Sequence, residues 1–436
     1  SNNPLYIIDG VPTERGLQEI NPNDIASIQI LKDASSASIY GSRAAAGVII
    51  VTTKRGSEGK TTIDFDAYTS IQSFNSKLKP LNTIQHGQAY WQAAVNDNQD
   101  PDNNGVYTYD WNKNFVNPVL NKVIVPQYID AAHTMMSANT NWFNEISQQS
   151  LLQSYNVSMS RGTKFGHTFF SMGLFDNNGV IKSSNDKKVN IRLNTDFDFF
   201  NGRLKVGENL SGTYGNEVIL PISDIFLLSQ IENPIIPVHT VDGGWGGPVA
   251  GMDDRQNPAR LINDNKQNRN NFGRIFGNVY IDLAILPNLH FKSSASADIA
   301  GNYFRSIQLP YVSGFLSSNI TQVATSYDNE ATVSWNNTLN YDLNINKNRF
   351  TFLLGEEQVK DKNQNFGGSG QGVVLQNINY AYLSSATNTI LVNGAGSANS
   401  LLSYFGKVNY IFDNKYLLSA TLRHDGSSKY VINNRY

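Results

Sequence analysis

The sequence predicts an all-β chain that builds the wall of a transmembrane barrel, preceded by a small mixed α/β unit. Three observations predict it. From about Thr61 onward apolar and polar residues alternate with period 2, which puts one set of side chains on each face of a strand. Short and long links between the alternating segments follow one another in strict succession, as in outer-membrane barrels. The 436 residues are only 16% charged, below the usual quarter of soluble domains, while Asn, Ser, Thr, Gly, Tyr and Phe are abundant.

The N-terminal unit comes first. Leu5 to Ile8 and Ile28 to Leu31 are β-branched-rich runs bounded by turn residues and are predicted strands. Asp33 is placed to cap a short Ala/Ser helix ending at Tyr40, and Gly41 supplies the left-handed residue that stops it. Gly47 opens Val48-Ile49-Ile50-Val51, a continuous apolar run that suits a strand covered on both faces.

The wall follows. Val189, Ile191, Leu193, Phe197 and Phe199 interleave with Asn190, Arg192, Asn194, Asp196 and Asp198, and Ile275, Val279, Ile281 and Leu283 interleave with Arg274, Asn278, Tyr280 and Asp282. About eleven such strands are predicted, near 61–74, 151–160, 167–175, 187–200, 203–218, 270–286, 288–305, 329–346, 349–360, 401–412 and 415–424. A soluble sandwich also alternates, with its polar face outward, so alternation alone does not separate the two architectures. The links do: short ones at 161–166, 201–202, 287–288, 346–348 and 413–414 are interleaved with longer ones near 75–150, 176–186, 219–270, 306–328 and 361–400. Within the first long link, Thr83–Asn96 has the pattern of a helix.

Composition also excludes function classes. A net charge of −2 with unclustered Lys and Arg gives no electrostatic footprint for nucleic acid. Cysteine is absent, which removes thiol chemistry, disulfides and cysteine-held metals. No run of 18 apolar residues offers a transmembrane helix. Ser35, Ser36 and Ser38 have no histidine nearby to activate them. Gly59-Lys60-Thr61 fails as a phosphate loop because Lys54 stands where the motif needs glycine. The six histidines lie singly, without ligand spacing.

Two candidate sites remain. Asp100, Asp102 and Asn104 match the opening of a calcium loop, but its twelfth position is Trp111 rather than a bidentate Glu, and an Asn/Asp-rich turn is the favoured reading. Trp111, Trp245 among its glycines, and Tyr311 lie in predicted long links, where aromatic faces can stack on sugar rings or hold a peptide; Tyr and Trp also belong to the interfacial girdles of any membrane barrel.

The N-terminal stretch resembles the plug domain of SusC/RagA-type TonB-dependent outer-membrane transporters. The resemblance is carried by Tyr6, Asp9 and Gly10, Asn21-Pro22-Asn23-Asp24-Ile25, Leu31-Lys32-Asp33-Ala34, Tyr40-Gly41-Ser42-Arg43, Gly47-Val48-Ile49 and Thr52-Thr53-Lys54-Arg55-Gly56. It marks Asp9, Gly10, Lys32, Asp33, Tyr40, Gly41, Arg43 and Gly47 as structural plug-motif positions. One departure is Ala44-Ala45-Ala46, where the family usually has Gly-Ala-Asn. The resemblance continues through Trp142–Ile146, Gln153–Ser158, Leu401–Tyr410 and Leu422–Lys429, and so spans almost the whole chain.

The resemblance implies a 22-stranded barrel with the plug inside its lumen, of which residues 1–56 would be the end of the plug and 57–436 the first half of the barrel. The absence of an initiating methionine, an export signal and a coupling box agrees with an internal fragment. It also implies an importer of oligosaccharides or oligopeptides in the bacterial outer membrane, without enzymatic activity or cofactor, with a SusD-like lipoprotein lid and the TonB–ExbB–ExbD system as partners. Three alternatives stand beside it: a siderophore or cobalamin receptor of the same architecture, a SusC-like subunit that transports nothing, and a soluble β-rich binding protein or surface enzyme.

Overall fold

The computed structural model describes residues 4–17, 19–32, 38–59, 61–74, 77–104 and 106–430. Four short strands, β1 (Leu5–Ile8), β2 (Val11–Thr13), β3 (Ile25–Leu31) and β4 (Val48–Thr53), form a sheet of order β2-β1-β4-β3. β2 was not among the predicted strands: it holds three residues, too few to display a period. It follows β1 through Asp9 and Gly10, whose φ angles of 50° and 86° are those of a two-residue hairpin turn. β4 is central, parallel to β1 and antiparallel to β3, and apolar clusters cover both of its faces as its sequence predicts. Leu5, Ile7, Ala44 and Val48 form one cluster, and Ile8, Val11, Ile20 and Val51 form the other. Ser38–Ala44 is a 3-10 segment kinked at Gly41, where φ is 65°. Asp33, expected to cap it, lies outside the described residues.

The second sheet has eleven strands, the number the alternation predicts. It begins with β5 (Thr62–Gln72); the hairpin β6 (Thr108–Trp111) and β7 (Leu120–Ile124) occupies the first long link, and β8 (Ser150–Thr163) is the next wall strand. The remaining wall strands are β9 (Gly166–Asn178), β10 (Asn185–Phe199), β11 (Leu204–Val218), β12 (Arg269–Leu286) and β13 (Leu289–Gln308). After the small hairpin β14 (Tyr311–Ser313) and β15 (Leu316–Ser318) come β16 (Gln322–Ile345), β17 (Asn348–Gln371), β18 (Asn388–Phe412) and β19 (Tyr416–Ser427). Each wall strand pairs antiparallel with the one before it in the chain.

The burial pattern is the reverse of a soluble protein's. Ile191, Phe197, Ile275, Val279, Val333 and Trp335 are 44–64% exposed, while Arg192, Asn194, Asp196, Arg274 and Asn278 on the other face are 3–5% exposed. Apolar side chains point away from the small sheet and polar ones toward it, the arrangement of a wall with lipid outside and a polar lumen inside. Phe350 stacks on Tyr410 at 4.6 Å beside the short links at 346–347 and 413–415, as an aromatic girdle requires.

Two expectations are corrected. The link near 306–328 is shorter, because β13 runs on to Gln308 and pairs with β16 from Gln322. Residues 361–400 are not one long link, because β17 runs on to Gln371 and β18 starts at Asn388, with pairs from Lys360 and Ser400 to Ser369 and Leu391. Here both faces are wet, so the backbone ladder continues while the apolar side of the alternation is no longer needed, and the period-2 signal fades.

The two longest links fold together into a cap. Helix α1 (Thr83–Asn96), as predicted, starts with a capping box in which Asn82 accepts from the Gln85 N–H and Gln85 accepts from the Asn82 N–H. Helices α2 (Trp142–Ile146), α3 (Ile222–Ile231) and α4 (Pro258–Asn265) complete it. Trp91, Tyr107, Tyr109, Trp111, Met135 and Trp142 from the first link pack on Ile235 and Ile236 of the later one.

Candidate functional site

The polar inner face of the wall meets the small sheet through three buried ionic clusters. In the first, Arg192 of β10 lies 3.2 Å from Asp24 and 3.6 Å from Asp9, and all three side chains are no more than 3% exposed. Asp9 is held by Thr53, whose N–H and hydroxyl donate to its two oxygens at 2.9 and 2.7 Å. Asn194, two positions along β10, donates to Thr53 Oγ1 and to the Lys54 carbonyl.

The second cluster centres on Arg274 of β12. Its guanidinium donates to both oxygens of Asp298 on β13 at 2.7 and 2.8 Å, to Glu19 at 2.7 Å and to Thr13 at 3.1 Å. The fork geometry of arginine makes this many directed contacts possible from one side chain. Arg15 extends the cluster to Glu330 on β16. Phe276, next inward on β12, adds an apolar contact to Ile8, Val11 and Val51.

The third has the opposite charge order. Glu357 of β17 accepts from Arg43 at 2.5 Å and from Arg423 of β19 at 2.8 Å. Arg423 also donates to the Ile39 carbonyl and to Asp425. A Cβ on Gly41 would fall 2.8 Å from both Arg423 Nε and Asp425 Oδ2, so a side chain here would push that pair aside, and the φ of 65° itself favours glycine. Asn21 donates to Asn156 of β8 at 2.7 Å. Wall strands β8, β10, β12, β13, β16, β17 and β19 therefore all reach the small sheet or the segments beside it, and the wall curls around it.

The contact is polar but not saturated. Asp24 Oδ1, Arg43 Nε and Asn194 Oδ1 are buried without a hydrogen-bond partner. Apart from the Phe276 contact, the joining bonds are charged or polar, so water can replace them when the two parts separate, and the net strength per bond is modest.

Several sequence-predicted positions fall in this contact. Asp9 and Arg43 are ion-pair members, Gly10 shapes the β1–β2 turn, and Tyr40 and Gly41 lie on the segment that meets Arg423. Gly47 opens β4 with φ 95°, and its carbonyl accepts from the Leu5 N–H. Lys32 sits exposed just beyond β3, away from the clusters, and Asp33 lies outside the described residues. The wall partners Arg274, Asp298 and Glu357 were not singled out from sequence. Their signal was an ionised residue in phase with the polar side of an alternating strand, on the face opposite Ile275 and Val279 for Arg274.

The aromatic candidates separate. Trp111 is 7% exposed inside the cap, edge-on to Trp91 at 5.9 Å between ring centres. Trp245 is partly exposed and packs on His239 at 4.5 Å, and it bridges to Ser313, two residues from Tyr311. Tyr311 lies 3.6 Å beneath the Arg260 guanidinium. The Asp100 carboxylate accepts the Asp102 N–H, a turn contact, and Asp102 accepts the Tyr109 N–H at 2.8 Å, which ties the turn to β6. Among the described residues no group of three or more His, Asp or Glu side chains is placed to hold a metal.

Comparison with known proteins agrees with this geometry. Residues 1–48 match the family described as TonB-dependent Receptor Plug Domain. The chain is 27% identical to TonB-dependent receptor SusC of Bacteroides thetaiotaomicron and 29% identical to TonB-dependent receptor P26 of Formosa agariphila. Each alignment covers 100% of this chain and 42% of the relative, so the chain spans under half the length of the curated relatives it matches. Among solved structures, the RagAB peptide transporter superimposes with a TM-score of 0.78 at 25% identity, over 100% of this chain and 50% of that one. The ferric citrate transporter FecA, at 8% identity and a TM-score of 0.56, shares the fold.

Proposed function

From the homology of this chain, along its full length, to SusC-type TonB-dependent receptors, we propose that it is the plug-bearing part of an outer-membrane importer. Residues 1–56 would belong to the plug and 57–436 to the barrel wall. The substrates are oligosaccharides or oligopeptides, captured with a SusD-like lipoprotein as lid and moved in by TonB with its ExbB–ExbD motor. The likeness to SusC and to the RagAB peptide transporter supports this substrate range.

The observation that carries the reading is the buried ionic contact of Arg192, Arg274 and Glu357 with the plug. A wide barrel leaks unless something fills it, and a plug held by polar bonds to a polar wall can be pulled aside without exposing a large apolar core. Asp9, Arg43, Tyr40, Gly41 and Gly47 shape that contact, Gly10 sets the turn beside it, and Trp245 and Tyr311 would be the aromatic groups that meet ligand, Trp245 through its partly exposed ring. Trp111, buried in the cap, supports the loops that carry them.

The test is uptake of labelled oligosaccharide and oligopeptide pools by cells expressing the full-length protein, with and without TonB. Uptake that disappears with TonB supports the proposal; uptake that survives its loss overturns it.

A further inference from the structure

The cap contains a recess of about 190 Å³ lined in part by His86, Tyr90, Tyr107, Glu232, Met252 and Arg255. Glu232 follows the last residue of α3 and is only 8% exposed. Its Oε1 accepts the Asn233 N–H at 2.9 Å, but its Oε2 is buried with no hydrogen-bond partner. A buried acceptor left unmatched is unfavourable, and a buried unmatched charge more so.

The surrounding polar groups are engaged with one another. Tyr107 lies 3.2 Å from His86 Nδ1 and donates to Asn233 Oδ1 at 3.3 Å. Arg255, the cation lining the recess, directs Nη1 to the Ile231 carbonyl and Nη2 to Asp253 at 2.6 Å. Burial, and then Arg255, lowers the pKa of His86, so its ring is neutral at pH 7. Arg255 is paired with Asp253, so above pH 7 the recess carries a net negative charge, that of Glu232, whose carboxyl is pushed up to about 7 by burial.

We propose that this recess binds the ammonium group of a ligand, with the Glu232 carboxylate as its counter-ion and the rings of Tyr90, Tyr107 and His86 as its walls. An ammonium brings three donors and a positive charge in a small volume, and aromatic faces attract it further. A neutral hydroxyl would satisfy the oxygen and leave the charge. Two ligand sources carry such a group: a lysine side chain of a peptide and an amino sugar.

The test is calorimetric titration of the purified, detergent-solubilised full-length protein with two probes, Nα-acetyl-lysine methylamide and glucosamine. Each is compared with its N-acetylated counterpart, which lacks the charge. Binding at pH 8 by the lysine probe, by glucosamine or by both, at least tenfold tighter than the counterpart, supports the site and identifies the source. Binding should weaken about tenfold per unit once pH falls well below 7, as Glu232 takes up a proton. Glu232→Gln should remove both the binding and its pH dependence. The site is overturned if neither amine binds, if the acetylated forms bind equally, or if the affinity of the lysine probe, whose amine stays charged throughout, rises toward acid. The wild-type pH series decides the matter even if the variant fails to fold. Because the readout is binding rather than uptake, a negative result leaves the transport proposal standing.

Discussion

Arg192 in the wall and Asp24 in the plug meet at 3.2 Å with 3% exposure on each side, and Asp9 joins them from 3.6 Å. One cation therefore neutralises two carboxylates that otherwise face each other away from water. Arg192→Met leaves both without a counter-charge, a change worth about 3–5 kcal/mol for a buried pair. Backbone amides of β1 and β4 should exchange with deuterium faster in this variant while the wall strands keep their protection. Equal exchange in plug and wall would contradict a plug held by this cluster.

Displacement of the plug has its own test. Asn21 and Asn156 touch at 2.7 Å across the plug and the wall, and the sequence contains no cysteine. Introducing Asn21→Cys with Asn156→Cys and bridging the thiols with a short cleavable reagent should abolish uptake, and cleaving the bridge should restore it. Full uptake with the bridge quantitatively in place would mean that this side of the plug does not move.

Trp111→Ala should behave as a core mutation. It opens a cavity beside Trp91 inside the cap, at about 3–5 kcal/mol. Limited proteolysis within residues 73–149 should rise sharply, whereas Trp245→Ala, at a partly exposed ring, should leave it near the wild-type level. A Trp111 variant with unchanged proteolysis and weakened ligand binding would reverse this assignment.

The cap should be more stable in mild acid than in base. Burial pushes the Glu232 carboxyl up to about 7, against about 4.3 in an unfolded chain. The folded state thus holds its proton more tightly, so this contribution is fully present below the unfolded pKa and is lost as pH rises through about 7. Melting of the cap, followed by tryptophan fluorescence, should occur at lower temperature at pH 8 than at pH 5.5. Glu232→Gln should flatten that difference, on a scale of about 1.4 kcal/mol per pKa unit. A variant with the wild-type pH slope would assign the effect elsewhere.

Much of this architecture was legible in the sequence because the bilayer enforces it. Wherever a strand crosses lipid, Ile191 must follow Asn190 and Arg192 must follow Ile191, so eleven strands can be read from alternation. Beyond the lipid, at Lys362–Gln371, both faces are wet and the text loses its rhythm although the ladder persists. The ion pairs were half legible: an arginine on an inward face is visible, but its partner lies far along the chain, 255 residues away for Arg274 and Glu19. No local pattern encodes such a partner. The cap was least legible, since Trp111 lies in a stretch rich in Asn and Asp that reads as exposed loop until Ile235 and Ile236 cover it.

The inverted burial of the wall bears on how force would act on this molecule. Detaching an apolar core requires the whole interface to fail together, since a partly opened oily seam gains nothing from solvent. Along Arg192, Arg274 and Glu357 each contact can be handed to water singly, so the joint can part like a zip, with small successive barriers. A weak pull sustained over time can therefore do what a brief strong one would be needed for in a greasy seam, and the same bonds re-form one by one when the pull ends.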